Sequence, residues 1–190
     1  MARITFDFSD KVALVTGGSR GIGRATALLF AQSGAKVVIG DVDSAGEETV
    51  EAIKRDGGEA IFVQTDVTDD ADVKNLIATA VKTYGALHFA FNNAGIGPPM
   101  SMLAEMEESS FDRILAVDLK GVFLCMKHEI AHMLQSGGGA IVNNASIAGL
   151  IAEPGISAYI AAKHGVIGLS KAAAVEYAIR VYASTRWRLD

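Results

Sequence analysis

The feature that most constrains this chain is a rhythm. Five short apolar runs, "KVALVTG", "AKVVIGD", "EAIFVQTD", "LHFAFNNAG" and "GAIVNNAS", recur along it, with stretches of helical character between them. Runs that are apolar throughout, rather than alternating with polar residues, fit strands buried on both faces of a parallel sheet. The intervening stretches are "IGRATALLFAQSG", "SAGEETVEAIKRDGG", "DDADVKNLIATAVKTYG" and "SSFDRILAVDLKGVFLCMKHEIAHMLQSGG". The third puts Val73, Leu76, Ile77, Ala80 and Val81 on one helical stripe. Asp69 or Asp70 is suited to cap that helix and Gly85 to close it. A further helix is predicted from about Ser157 to Ala178. Parallel neighbours require crossover connections of one hand. The expected fold class is therefore α/β, a doubly wound parallel sheet of five strands.

Composition narrows the class of partner. With 190 residues, half of them hydrophobic, the chain is long enough for one well-buried domain. A net charge of −5 speaks against nucleic-acid and anionic-membrane surfaces, which call for basic patches. The single cysteine, Cys125, has no internal disulfide partner, which suits a reducing compartment. No apolar run approaches the roughly 20 residues of a membrane span, and "MARITFDFSD" lacks the apolar core of a signal peptide. A cytoplasmic location is expected.

The first apolar run leads into "TGGSRGIG" at Thr16–Gly23, with a helical segment behind it. Glycines at such a strand-to-helix turn let the backbone bend sharply and approach a pyrophosphate, whose charge rests at the helix N-terminus. A glycine triad alone is weak evidence. Here Asp41 ends the second run about 20 residues on, as the dinucleotide fingerprint requires. An acid there accepts hydrogen bonds from ribose hydroxyls and repels a 2′-phosphate, so NAD is expected over NADP. Arg20 works against that reading, because a guanidinium in the loop suits a 2′-phosphate.

Tyr159 and Lys163 in "YIAAK" stand one helical turn apart, and Ser146 closes the fifth run in "NNAS". Phenols are poor bases at neutral pH, but a neighbouring ammonium favours the phenolate. Taken with "TGGSRGIG", Asp41, "DV" at Asp66–Val67 and "NNAG" at Asn92–Gly95, the chain resembles the short-chain dehydrogenase/reductase family over residues 8–178. The resemblance implies a Rossmann-like fold and hydride transfer between a nicotinamide and a carbonyl or secondary alcohol carbon. It makes Tyr159 the general acid/base, Lys163 its partner and a binder of the nicotinamide ribose, and Ser146 the residue that holds the substrate oxygen. It also implies that Gly17, Ser19, Arg20, Gly21, Ile22 and Gly23 cradle the cofactor. Asp66 and Val67 would contact its adenine, and Asn93, Ala94 and Gly95 would line its cleft. A small alcohol or ketone is the implied substrate. Self-association through the two long helices is implied too, as a dimer rather than a tetramer.

One position departs from the family pattern. In "AVDLKGVF" Asp118 stands where the family usually has Asn, in a tetrad whose Asn helps hold a water behind the lysine. Asp keeps an acceptor, loses the amide donor and adds a charge beside Lys163. A shifted pH optimum is expected.

"HEIAH" at His128–His132 matches H-E-x-x-H, in which two histidines share a zinc and Glu129 serves as base. A zinc hydrolase is the remote alternative. The expected reading is a solvated helix face far from the C-terminal edge of the sheet, with no metal. Cys125 and Met126 read as packing residues.

The last residues, 179–190, break the pattern and are expected to form a poorly ordered, aberrant tail after a dinucleotide-binding domain of 1–178. In the family a segment close to "GIRVNAVAPG" follows, leading to sixth and seventh strands that are missing here. The tail "YASTRWRLD" can be encoded TAC GCG TCA ACG CGG TGG CGC CTG GAT. Read from its third base, that string gives Arg-Val-Asn-Ala-Val-Ala-Pro-Gly. A frameshift is the expectation, and a catalytically inactive NAD-binding remnant is the alternative function.

Overall fold

The structure is a computed structural model and describes residues 6–178. The expected tail lies outside the described residues, so its frameshift reading is not addressed by the fold.

Five parallel strands form one sheet in the order β3-β2-β1-β4-β5: β1 Val12–Thr16, β2 Lys36–Asp41, β3 Ala60–Gln64, β4 Phe89–Asn92 and β5 Ala140–Asn143. Every residue of β1 is buried, as its unbroken apolar run requires of the central strand. Side chains alternate between faces, and each face carries its own core. On one face Val12, Leu14 and Val38 meet Val73 and Leu76 of α3 (Asp70–Tyr84), Leu124 and Ile130 of α5 (Val122–Met133), and Val166 of α6 (Ser157–Ala178). On the other, Val15, Val37 and Ile39 meet Ala27 of α1 (Gly21–Gln32) and Val50 and Ile53 of α2 (Gly46–Arg55). Strand order reverses at β1, between β2 and β4. In such sheets the crevice beyond the C-terminal ends of the strands at that reversal is where ligands sit.

Local signals explain the helix ends. Asp69 accepts the Ala71 and Asp72 backbone N–H groups, and Gly85 closes α3 at φ 82°. Between α4 (Glu108–Leu115) and α5 the backbone opens into a π-helical turn over Ala116–Gly121. The sequence suggested one uninterrupted helix there. The wider turn leaves no periodic trace, because apolar residues continue on both sides of it. Gly121 lies against Val67, and a Cβ on it would sit 2.8 Å from Val67 Cγ2. The turn carries Asp118 into full burial. Among the described residues no helix is long and apolar enough to cross a membrane.

Candidate active site

A cleft of about 960 Å³ lies at the C-terminal ends of β1, β2 and β4, lined by the glycine loop, Asp41, Asp66 and the "NNAG" segment. The loop is there because its glycines permit contacts that a side chain would block. Gly17 has φ +67°, and a Cβ on it would stand 2.9 Å from Ala94 Cα; a Cβ on Gly23 would stand 2.1 Å from the Gly17 carbonyl oxygen. Asn93 fastens the loop from the far side. Its backbone N–H donates to Thr16 Oγ1 (3.0 Å), and its amide donates to the Thr16 and Gly17 carbonyls (3.1 and 3.2 Å). Arg20, at the N-cap of α1, supplies no side-chain acceptor to the first turn. The first N–H groups of α1 therefore remain as donors at the cleft. Tight glycine packing, open helix donors and an acid at the end of β2 fit the pyrophosphate and ribose of a dinucleotide.

Asp41 is placed where the sequence suggested, yet it is already engaged. Its Oδ2 accepts the Ser19 N–H (3.0 Å) and its Oδ1 the Asp43 N–H (3.1 Å). A carboxylate offers about four lone-pair sites, so acceptor capacity remains for a ribose. Ile22 is exposed and lines the cleft together with Gly21, Ala94 and Gly95. Asp66 Oδ1 accepts the backbone N–H and the hydroxyl of Thr68, each at 2.8 Å, while Val67 lies buried beside the same opening.

A second cavity, of about 410 Å³, is lined by Ser146, Tyr159 and Lys163 and shares Asn93, Gly95, Ile96 and Gly97 with the cleft. The fold thus brings together three residues drawn from the end of β5 and from α6. Lys163 Nζ sits 5.3 Å from the Tyr159 ring centroid and donates to the Asn144 carbonyl at 3.0 Å. Ser146 caps a single 3-10 turn over Ile147–Gly149, its Oγ accepting the Ala148 N–H at 3.2 Å. Gly149 lets that turn press on α6, since a Cβ there would stand 2.9 Å from the Lys163 carbonyl oxygen.

Asp118 is fully buried and Lys163 is 4% exposed. Asp118 Oδ1 accepts the Ile96 N–H at 2.8 Å, and no hydrogen-bond partner meets its buried Oδ2. Burial pushes the Asp118 carboxyl above its ordinary value, opposed by the Ile96 bond and the Lys163 charge. Burial pulls the Lys163 ammonium down, and the Asp118 charge works the other way. Each group thus supports the charged form of the other against desolvation.

The "HEIAH" stretch departs from the solvated face expected of it. Glu129 is fully buried, and the Asn92 amide donates to its Oε2 at 2.9 Å. His128 turns outward and meets Asp70 at 2.9 Å. The zinc arrangement would need Glu129 beside both histidines, and the helix instead sends Glu129 inward to the end of β4. Among the described residues no group of three His, Cys, Asp or Glu is placed to hold a metal ion. Cys125 and Met126 are core residues, as expected.

Sequence reasoning missed the layer that props up the site. Asn92 donates to Glu129 and to Asn143 Oδ1 (2.9 Å each), and Asn143 donates to Ser170 Oγ on α6 (2.9 Å). One residue along, the Asn144 amide donates to Asn93 Oδ1 at 3.0 Å. The signal was present in the repeated "NNA" that ends both β4 and β5, where Asn92 and Asn143 stand in register. Successive strand residues face opposite ways. One Asn of each doublet therefore serves the core and the other the cleft.

Residues 11–184 match the short chain dehydrogenase family. The chain is 48% identical over 172 residues to cyclohexanol dehydrogenase of Acinetobacter sp. (strain SE19), covering 90% of this chain and 68% of the relative. It is 45% identical over 179 residues to cis-4-hydroxycyclohexanecarboxylate dehydrogenase of Sinomonas cyclohexanicum, covering 93% and 72%. Carveol dehydrogenase from Mycobacterium avium, solved in complex with NAD, superposes with a TM-score of 0.89 at 32% identity, covering 93% of this chain and 69% of that one. This chain belongs to the short-chain dehydrogenase/reductase family, whose members are NAD(P)-dependent oxidoreductases of alcohols and carbonyls.

Proposed function

We propose that the chain is an NAD-dependent dehydrogenase of secondary alcohols, with Tyr159 as general acid/base. The observation that carries this reading is the cavity of Ser146, Tyr159 and Lys163 opening directly onto the glycine-loop cleft. Gly17, Gly21 and Gly23 admit the pyrophosphate to the N-terminus of α1, and Asp41 takes the ribose hydroxyls. When bound, the nicotinamide accepts or supplies the hydride. Ser146 orients the substrate oxygen by a hydrogen bond, and Tyr159 Oη takes the alcohol proton or returns it to the carbonyl. Lys163, whose Nζ stands 5.3 Å from the Tyr159 ring centroid, holds the nicotinamide ribose beside it. Burial pulls the Lys163 ammonium down, and the Asp118 charge opposes that pull. The two named relatives are described as acting on cyclohexanol and on a hydroxycyclohexanecarboxylate. A cyclohexane-ring alcohol is therefore the substrate class to assay first.

The test is calorimetric titration with NADH, followed by turnover with NAD and a panel of ring and open-chain secondary alcohols. Binding with turnover supports the dehydrogenase. Binding without turnover across the panel favours the second reading, a cofactor-binding chain without activity. That reading is supported by the position of the adenosine and pyrophosphate contacts, all of which precede residue 100. Self-association as a dimer through α4–α5 and α6 is the proposed assembly, with Phe123 and Val175 exposed on those helices. Sedimentation of the purified chain tests it.

A further inference from the structure

Four contacts meet at one residue of the turn after β2, Asp43, and two of them reach across to the glycine loop. Its N–H donates to Asp41 Oδ1 at 3.1 Å, its carbonyl accepts the Ser19 hydroxyl at 2.9 Å, and its Oδ1 accepts the Ala45 N–H at 3.0 Å. Its remaining oxygen, Oδ2, pairs with the Arg20 guanidinium. All of these residues except Ser19 and Ala45 line the cleft, where Asp41, Asp43 and Asp66 stand against Arg20 and Arg113. Arg113 belongs to the opposite stretch, beside Ile96 and Gly97. Arg20 is thus the cation on the Asp41 side, and Asp43 holds it.

Resting on the reading of this cleft as a dinucleotide site, we propose that Asp43 is a specificity-determining residue that excludes NADP by occupying Arg20. A phosphate dianion on the ribose would meet the Asp41 carboxylate and would have to compete with Asp43 for the guanidinium. Arg and phosphate pair strongly when both are free, through parallel N–H···O bonds. An exposed Arg–carboxylate pair is weak by itself. The Arg20 side chain is held by this pair with Asp43, so one substitution is enough to release it. Asp43→Asn is the conservative release, because the amide oxygen still accepts from Ala45 while the amide N–H groups offer Arg20 nothing to bind.

The experiment is calorimetric titration of NADH and NADPH into the purified full chain, its Asp43→Asn variant, and Asp43→Asn combined with Arg20→Gln. Thermal melts of all three serve as folding controls. The parent is expected to prefer NADH. Asp43→Asn is expected to tighten NADPH by about ten-fold, the scale of one charge acting on a phosphate at close range in water, and to leave NADH within about two-fold. Adding Arg20→Gln is expected to cancel most of that gain. An unchanged NADPH affinity in Asp43→Asn overturns the inference. So does a gain that persists in the double variant, since it would come from lost repulsion alone. A parent that binds NADPH but not NADH overturns it as well. A parent that binds neither overturns the cofactor reading beneath it.

Discussion

At the nucleotide end of the cleft the working parts are backbone. Three glycines, the first turn of α1 and the end of β2 lie within a short span of sequence, and Gly17 and Gly23 are fixed by contacts that a single Cβ would break. At the proposed catalytic end the side chains come from three separate elements. Asp118 comes from a π-helical turn, Ser146 from the turn after β5, and Tyr159 and Lys163 from α6. Their chemistry depends on burial: Lys163 and Asp118 lie out of solvent, each holding the other's charge. The first end is a shape that suits an anion. The second is an electrostatic balance, and small charge changes tune it without altering its outline.

That contrast breaks if the two ends fail together. Tyr159→Phe should reduce turnover by about a thousand-fold, within the usual range for a lost general acid/base, while NADH binding by calorimetry stays near the parent value. Loss of binding in that variant would mean that the two ends are not separable.

The next largest effect concerns the layer beneath the catalytic end. Burial pushes the Glu129 carboxyl up from 4.5 to about 7, opposed by the Asn92 hydrogen bond. A folded-state value above the unfolded one means that the folded protein binds the proton more tightly. The stability from this group is complete below about pH 4.5 and falls as pH rises to about 7. Glu129→Gln has nothing to ionise and also offers a donor to Asn92 Oδ1, a buried acceptor without a partner. At pH 8 it should exceed the parent by about 3 kcal/mol, at ~1.4 kcal/mol per pKa unit, and at pH 4.5 the gap should close. Urea unfolding across pH measures this, and parallel stability curves for the two proteins would contradict it.

Gly23→Ala should cost about 2 kcal/mol, typical of forced overpacking, and should abolish NADH binding, because its Cβ would meet the Gly17 carbonyl at 2.1 Å. Retained NADH affinity would show that the nucleotide end yields more easily than its packing implies. The smallest effect is Asp118→Asn. Removing a charge that holds the Lys163 value up should move the alkaline limb of the pH–rate profile to lower pH. Identical profiles for variant and parent would deny Asp118 any electrostatic part.

How much was legible follows the same division. The strands, the caps of α3, the glycine loop and the i, i+4 pairing of Tyr159 with Lys163 all rest on short-range rules, and their residues were named from spacing. The π-helical turn was not legible, because a one-residue change of hydrogen-bond register leaves the apolar pattern intact. Nor was the direction of Glu129. A helix-surface motif said nothing of which side met the sheet, and the structure turns Glu129 toward Asn92 and away from a metal. Asp41 was placed correctly, but its engagement with Ser19 and Asp43 depends on two loops meeting across the end of β2.

By itself the sequence determined the β-α alternation, the parallel sheet it forces and the residue types that a dinucleotide site requires, since these follow from backbone sterics, hydrophobic periodicity and glycine's missing side chain. Tertiary structure alone decided which polar groups lose water and what they then meet: Lys163 against Asn144 with Asp118's charge acting on it, and Glu129 against Asn92. Desolvation is a property of the whole fold, set by residues far away in the chain, and it decides which of these groups is charged and which is held.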